Sequence, residues 1–176
     1  MDNNKEEVRS FPPSSYFLFI LVILIALAVL ILTPVKILVA ENFESKEILT
    51  FWKIREDDDL AISYTHSVER TEVSEWYKVK NSKLVLMEEH FSSYGAGLPA
   101  DNTYPFKITD KGFVIYDINK PMDEVIYRTG AVRANHRLKI NNEDVAFVSF
   151  SKAREAVCFK IMDINLMRYL IGRCRN

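Results

Sequence analysis

Alternation of apolar and polar residues with a period of two dominates the chain from residue 48 onward, and this period is typical of β-strands. Clusters of Asn, Asp, Gly and Pro separate the alternating runs and indicate turns. Because long helical periodicity is almost absent, the pattern predicts an all-β domain, folded as an antiparallel barrel or sandwich. The predicted strands are Ile48 to Ile54, Leu60 to Val68, Thr71 to Lys80, Leu84 to Phe91, Gly112 to Ile118, Val125 to Thr129, Ala134 to Ile140, Val145 to Phe150 and Ala156 to Ile161.

One exception to this alternation closes the chain. A single helical face there carries Ile164, Met167, Leu170 and Ile171. Asp163 is placed to cap the start of this helix, and Gly172 is placed to end it. The pattern therefore predicts a short C-terminal helix after the last strand.

A continuous apolar run precedes the β domain. It extends over 17 residues, from Tyr16 to Leu32, without a charge, an amide or a glycine. As a helix it covers about 25 Å of a hydrocarbon core about 30 Å thick, and residues 33–39 can extend it. We therefore predict one N-terminal transmembrane helix, an anchor over residues 16–39. A tail at residues 1–15 precedes it, and a β domain at residues 41–176 follows.

A cleavable signal peptide is the competing interpretation of the same run. The apolar core is longer than that of a usual signal peptide. The best cleavage site in the sequence, Leu38-Val39-Ala40, has a bulky residue where a small one is preferred. An uncleaved anchor is therefore the favoured interpretation.

The net charge of the chain argues against one class of function, the binding of nucleic acid. The chain carries 23 basic and 24 acidic side chains, so no overall positive field attracts nucleic acid, and no nucleic-acid partner is expected. Basic residues flank both sides of the apolar run and hardly discriminate its orientation. A long, nearly neutral C-terminal domain can be translocated whatever its flanking charges. We therefore expect a single-pass cell-membrane protein whose domain lies outside the cytoplasm.

The two cysteines do not indicate a disulfide bond. Cys158 shares a strand face with Lys160, whereas Val157 and Phe159 lie on the opposite, apolar face. Two free thiols, at Cys158 and Cys174, are the favoured interpretation.

Several ionisable residues fall on strand faces that are otherwise apolar. His66 follows Ile62 and Tyr64 on one such face, Glu75 lies with Val73 and Tyr77, and His136 lies with Leu138 and Ile140. One of Glu88 and Glu89 must also point inward, and the sequence does not decide which. Because buried charges are costly unless they are paired or bound, these residues predict one connected polar cluster.

Three interpretations of this cluster remain open. The first is a satisfied structural network, in which carboxylates orient the two histidines. The second is a divalent-metal site, for which the principal candidate ligands are His66, Glu75 and His136 and the further ones are Glu69, Glu88 and Glu89. The third is a pocket for a small polar ligand.

A glycine-rich loop follows the fourth predicted strand. It reads Gly95-Ala96-Gly97-Leu98-Pro99-Ala100, one form of the dinucleotide-binding fingerprint. Pro99 and Pro105 stand where the helix of that motif should begin, so a dinucleotide site is not expected. We expect instead a rigid cover over the polar cluster, because Gly95 and Gly97 permit unusual backbone angles and Pro99 stiffens the exit.

Together, these motifs resemble the family catalogued as domain of unknown function 1850. The resemblance rests on "YTHSVERTEVSEWY", "FSSYGAGLPA" and "YDINKPMDEVIYRTGAVRANHRL", and extends from about Pro34 to the end of the last strand. The residues that it implies as the site are His66, Glu69, Glu75, Gly95, Gly97, Pro99 and His136.

The resemblance also implies a biological context. Members of the family are similar in being small exported or membrane-anchored proteins, often encoded beside TAXI-type tripartite ATP-independent periplasmic (TRAP) solute transporters. The expected function is thus a non-enzymatic accessory or binding module in solute uptake. Its expected partners are the bilayer and the transporter's membrane subunit or solute receptor. The alternative is a metal-dependent enzyme, or a metal- or ligand-binding barrel, with His66 and His136 as ligands and Glu75 as base.

Overall fold

The computed structural model describes residues 13–66, 69–92, 103–130 and 133–174. The helices are α1 (Pro13–Leu32), α2 (Leu166–Arg173) and a 3-10 turn (Phe147–Ser149). The strands are β1 (Pro34–Asn42), β2 (Ile48–Lys53), β3 (Asp59–Thr65), β4 (Glu72–Lys80), β5 (Lys83–Phe91), β6 (Phe106–Thr109), β7 (Gly112–Ile115), β8 (Lys120–Met122), β9 (Glu124–Arg128), β10 (Arg137–Ile140), β11 (Glu143–Ala146) and β12 (Ala156–Asn165).

In the described ranges these strands form two mostly antiparallel sheets. The larger sheet has the order β11-β10-β3-β4-β5-β7-β6, and β8 pairs with β5 beside this path. The smaller sheet has the order β2-β1-β12-β9. The all-β prediction is therefore confirmed, and of the two architectures expected from the sequence the chain adopts the sandwich.

The hydrophobic core lies between the two sheets. Leu38, Val157 and Phe159 from the smaller sheet and Ile62 and Leu138 from the larger sheet are almost completely buried in it. Burial of each such side chain contributes about 1.5–3 kcal/mol. The period-two pattern of the sequence follows from this geometry, because alternate side chains of each strand point into one shared core.

The chain divides into two compact units. The larger unit, residues 36–163, contains the sandwich. The smaller unit contains α1 and α2. Along α1 the apolar side chains from Tyr16 to Leu32 are exposed, except for the half-buried Leu30. Among the helices of the described ranges, none combines the length and apolar character of a membrane span.

Residues 34–39, which the sequence suggested as an extension of the N-terminal helix, belong to strand β1. The helix ends at Leu32, and Leu38, Val39 and Ala40 are fully buried in the sandwich. A short continuous apolar run fits a strand buried on both faces as well as it fits a helix, so periodicity could not separate the two.

Some other predicted boundaries also differ from the structure. Strand β10 starts at Arg137, three residues later than predicted, and the predicted strand Val145 to Phe150 is divided between β11 and the 3-10 turn. The cap of α2 is Asn165 instead of Asp163. Gly172 lies inside α2, because the helix continues to Arg173. The short strands β6 and β8 were not predicted.

Candidate functional site

Two carboxylates face each other across strands β4 and β5. Val73, Glu75 and Tyr77 alternate on the inward face of β4, as predicted, and Glu75 is paired in register with Glu89 of β5. Like charges directly opposite on a sheet repel each other. The inward faces of β4 and β5 therefore carry a half-buried acidic pair, which hydrogen bonds or a proton would stabilise.

A β-bulge decides which of the two adjacent glutamates points inward. The register with β5 shifts between Trp76 and Tyr77, so that Tyr77 pairs with Leu86 and Trp76 pairs with Glu88. Since the bulge adds one residue, the inward face of β5 changes from Leu86 to Glu89. Glu88 pairs with His90, with 2.7 Å between its Oε2 and the histidine Nε2.

Two tyrosines hold one oxygen of Glu75. The Tyr77 hydroxyl donates to Glu75 Oε2 at 2.5 Å. The Tyr127 hydroxyl donates to the same oxygen, and the two hydroxyl oxygens lie 2.7 Å apart. Tyr77 belongs to the larger sheet and Tyr127 to the smaller one, so this network joins the two sheets through the core.

The tyrosines of this network remain protonated at neutral pH. Burial, together with the charge of Glu75, raises the pKa of Tyr64 to about 12. Burial and then the charge of Glu75 hold the pKa of Tyr77 well above the usual range. Burial, followed by the interactions with Tyr77 and with Glu75, does the same for the pKa of Tyr127. Burial, and then the charge of Glu75, also raises the pKa of Glu89, while Lys120 opposes this. Glu75 is thus surrounded by proton donors.

His136 packs beside the network as a neutral ring. It stacks on Tyr64, with ring centroids 5.2 Å apart, and burial lowers its pKa. Its Nδ1 accepts a hydrogen bond from the Gly130 amide at 3.2 Å, which places the proton of the neutral ring on Nε2. Glycine at position 130 also permits the close approach of Ala134, since a Cβ there would lie only 2.3 Å from the Cβ of Ala134.

His66 and Glu69 form part of a turn between β3 and β4. The Nδ1 atom of His66 accepts a hydrogen bond from the Glu69 amide at 3.3 Å. The backbone of His66 also binds that of Thr71 and that of Arg70, at 2.8 and 2.9 Å. His66 is half-buried there. Its observed bonds therefore stabilise the turn, whereas those of Glu75 connect the two sheets.

The single polar cluster expected from the sequence is accordingly divided. Glu75, Glu89 and His136 lie with the tyrosines, and His66 and Glu69 lie in the turn. In the part of the chain that the structure describes, no group of three or more His, Cys, Asp or Glu side chains is arranged to hold a metal ion. The candidate metal ligands His66, Glu75 and His136 therefore do not form such a group. The loop from Gly95 to Pro99 lies outside the described residues, so its role as a cover stays a prediction.

Sequence reasoning missed the tyrosines as members of the site. Tyr64 and Tyr77 were assigned to apolar faces, and Tyr127 was placed in a strand without a role. The signal was present, because Tyr77 shares the inward face of Glu75. A buried tyrosine hydroxyl usually finds a hydrogen-bond partner, and the nearest inward carboxylate was the natural one.

A buried carboxylate lies in the smaller sheet, whereas Glu75 and Glu89 are half-buried. Glu41 Oε2 is 2.7 Å from Lys160 Nζ, and its Oε1 is 3.8 Å from Lys46 Nζ but accepts no hydrogen bond within the described residues. Cys158 is buried near this pair and donates to Glu124 Oε2 at 3.3 Å. Burial and that hydrogen bond raise the pKa of the Cys158 thiol to about 11. Both Cys158 and Cys174 are free thiols.

Comparison with known proteins places these elements in a family context. A family model described as "Domain of unknown function (DUF1850)" matches residues 60–147, half of the chain. The matched range includes Glu75, Tyr127 and His136, and it is shorter than the range over which the sequence motifs suggested a resemblance. No curated protein and no solved structure matches the chain.

Proposed function

This chain belongs to the DUF1850 family, and we propose that it is a membrane-anchored, non-enzymatic binding module that assists solute uptake outside the cytoplasm. Its proposed partner is the membrane subunit, or the solute receptor, of a TAXI-type TRAP transporter. The resemblance of its motifs to this family is the reason for proposing the transporter. The structure of the site is the reason for proposing a binding module in preference to an enzyme.

The observation that carries the proposal is that Tyr77 and Tyr127 both donate to Oε2 of Glu75. A general base needs a free lone pair directed at its substrate. One oxygen of Glu75 instead accepts two hydroxyls that stay protonated, and one of these comes from the opposite sheet. Such an arrangement supports a rigid connection between the sheets more than a catalytic base.

The network stiffens one end of the larger sheet. β3 ends and β4 begins there, and the antiparallel register places the end of β5 and the start of β10 at the same end. The turn that contains His66 and Glu69 lies at this end. We propose that the turns at this end of the sheet contact the partner. Turns that a rigid sheet already holds in place lose less conformational entropy on binding.

The proposed anchor is α1. Its 20 residues span about 30 Å, close to the thickness of a bilayer core. Its described side chains are apolar and exposed around the helix, so an apolar surrounding would remove a large surface from water. This surface supports membrane attachment of the chain.

Co-purification from membranes tests the proposal. The full chain with a C-terminal tag is extracted in mild detergent from cells that also express a TAXI-type transporter, and the transporter's membrane subunit and receptor are measured by quantitative mass spectrometry. Enrichment of either protein, lost in a chain without residues 1–33, is the expected result. Protease applied to intact spheroplasts should degrade the tagged domain. Recovery of neither transporter protein, or a protected domain, would contradict the proposal.

Metal content separates this proposal from the enzyme alternative. The purified full chain is measured by elemental analysis together with its His66→Ala and His136→Ala variants. Stoichiometric metal in the parent chain, lost in both folded variants, would favour a metal-dependent enzyme. Equal metal content in all three proteins is expected for the binding module.

A further inference from the structure

Helix α2 exposes its apolar face. Leu166 is half-buried and Tyr169 is buried, and these two residues lie one turn apart on one face. Met167, Leu170 and Ile171 form an apolar stripe on another face, and they are 40%, 45% and 46% exposed. A surface helix normally buries its apolar stripe and exposes its polar face. The exposed stripe therefore indicates a surrounding other than water.

The start of α2 lies at the end of α1. The amide of Leu166 donates to the carbonyl oxygen of Thr33 at 2.9 Å, and Thr33 directly follows the last residue of α1. Asn165 caps α2 by accepting from the Arg168 amide at 2.8 Å, which fixes the first turn. The first turn of α2 therefore lies beside the end of α1. If α1 is inserted in a bilayer, this turn lies at the depth that α1 has reached at Leu32.

Arginines border the apolar stripe on both sides. At about 100° per residue, Arg168 follows the stripe on one flank and Arg173 precedes it on the other. The last 13 residues, from Ile164 to Asn176, contain three arginines and no acidic residue. Long basic side chains that flank an apolar stripe can reach lipid headgroups while the stripe enters the boundary of the acyl chains.

We propose that α2 is an interfacial helix, which places Met167, Leu170 and Ile171 in the surface of the bilayer that holds α1 and directs Arg168 and Arg173 to anionic headgroups. This inference rests on the proposed anchoring by α1. The apolar stripe of α2 is then covered by the surface of the lipid bilayer. Three features point to it: the apolar surface of α1 in the same unit, the fixed start of α2 beside Thr33, and the arginine flanks.

Lipid-dependent fluorescence quenching tests the inference. The full chain with Cys174→Ser is reconstituted in phosphatidylcholine vesicles that contain phosphatidylglycerol, and single cysteines are introduced by Met167→Cys or Leu170→Cys and labelled with an environment-sensitive dye. Cys158 is buried and should not be labelled. Lipids that carry a nitroxide near the headgroup then quench dyes at that depth. Val148 of the sandwich unit is 62% exposed, and Val148→Cys provides the aqueous control once quenching by iodide in the buffer has shown that its dye faces water. Leu24→Cys lies near the middle of α1 and reports on the anchor, with quenching measured there by lipids that carry the nitroxide near the end of the acyl chain.

Blue-shifted emission and nitroxide quenching at positions 167 and 170, with neither at position 148, are expected. Quenching at position 24 combined with aqueous behaviour at positions 167 and 170 would overturn the inference and leave the anchor standing. Quenching at positions 167 and 170 without quenching at position 24 would support the interfacial helix and contradict the anchor. Aqueous behaviour at all three positions would overturn both. Dyes that are shielded but not quenched would indicate protein contact, such as a second copy of the chain, and would also overturn it.

The proposed contact of the two arginines with anionic headgroups is tested separately. Quenching at position 170 should be stronger with phosphatidylglycerol than with phosphatidylcholine alone, and Arg168→Gln with Arg173→Gln should remove that difference. Equal quenching of the parent chain in both lipids would overturn the role of the arginines.

Discussion

Replacement of Tyr127 by phenylalanine is a sharp test of the network that joins the two sheets. The substitution removes one hydroxyl and keeps the ring. The contacts of that ring with Phe147 and Phe159, at centroid distances of 6.2 and 6.4 Å, should therefore survive. What is lost is the hydrogen bond to Glu75 and the 2.7 Å contact with the Tyr77 hydroxyl.

The expected loss is about 2 kcal/mol of unfolding free energy. A hydrogen bond to a charged group contributes about 1.5–3 kcal/mol. The upper end should not be reached, because the Tyr77 hydroxyl still donates to the same Glu75 oxygen. For a chain of this size, such a loss lowers the melting temperature by about 4–8 °C.

Chemical denaturation of the full chain in detergent micelles, followed by tryptophan fluorescence, measures this loss. Tyr104→Phe is the matched control, because Tyr104 is 37% exposed and its substitution should change the free energy by less than about 0.5 kcal/mol. A double-mutant cycle of Tyr127→Phe with Glu75→Gln should give a coupling energy of at least about 0.5 kcal/mol. If Tyr127→Phe is as stable as Tyr104→Phe, the hydroxyl does not join the sheets, and our account of the site is wrong.

Three further predictions concern other ionisable groups of the sandwich. Because the pKa of Glu89 is raised above its ordinary 4.5, its folded-state proton is lost as pH rises through that higher value. The unfolding free energy of the parent chain should therefore fall relative to Glu89→Gln above pH 4.5, and parallel pH curves would contradict this. Iodoacetamide should label Cys158 in a Cys174→Ser chain only after denaturation, as measured by mass spectrometry, because the thiolate is the reactive form and this thiol is buried with a pKa of about 11. Lys160→Met should cost about 1–3 kcal/mol in denaturation experiments, since it leaves the buried Glu41 carboxylate without its 2.7 Å partner, and an unchanged midpoint would show that the pair is dispensable.

The sheets could be predicted from the sequence because their energetics are local and repetitive. Alternation along β3, β4 and β12 follows directly from one buried face, so these strands were found to within a few residues. The inward direction of Glu75 followed from the same rule. The position of Cys158 opposite the core followed as well, because Val157 and Phe159 fill the core side.

The remaining features depend on pairings that a single strand does not contain. The sequence of β5 does not reveal the bulge opposite Trp76. This bulge alone determines that Glu89, and not Glu88, points inward. Strand β1 is buried on both faces, so it has no polar face to distinguish it from the apolar helix before it. Tyr127 could not be matched to Glu75, because 52 residues separate them and only the packing of the two sheets brings them together.

The division of the predicted cluster suggests where a partner would act. Glu75 connects the sheets and is enclosed by tyrosines, so its loss should lower stability before it affects recognition. His66 bonds to its own turn, at the end of the sheet that the network stiffens, so its loss should disturb the local shape of that turn and leave the sheets joined. Transporter co-purification that is lost in a stable His66→Ala chain but retained in a destabilised Tyr127→Phe chain would assign recognition to the turn and support to the network. The opposite result would place the contact elsewhere on the sandwich.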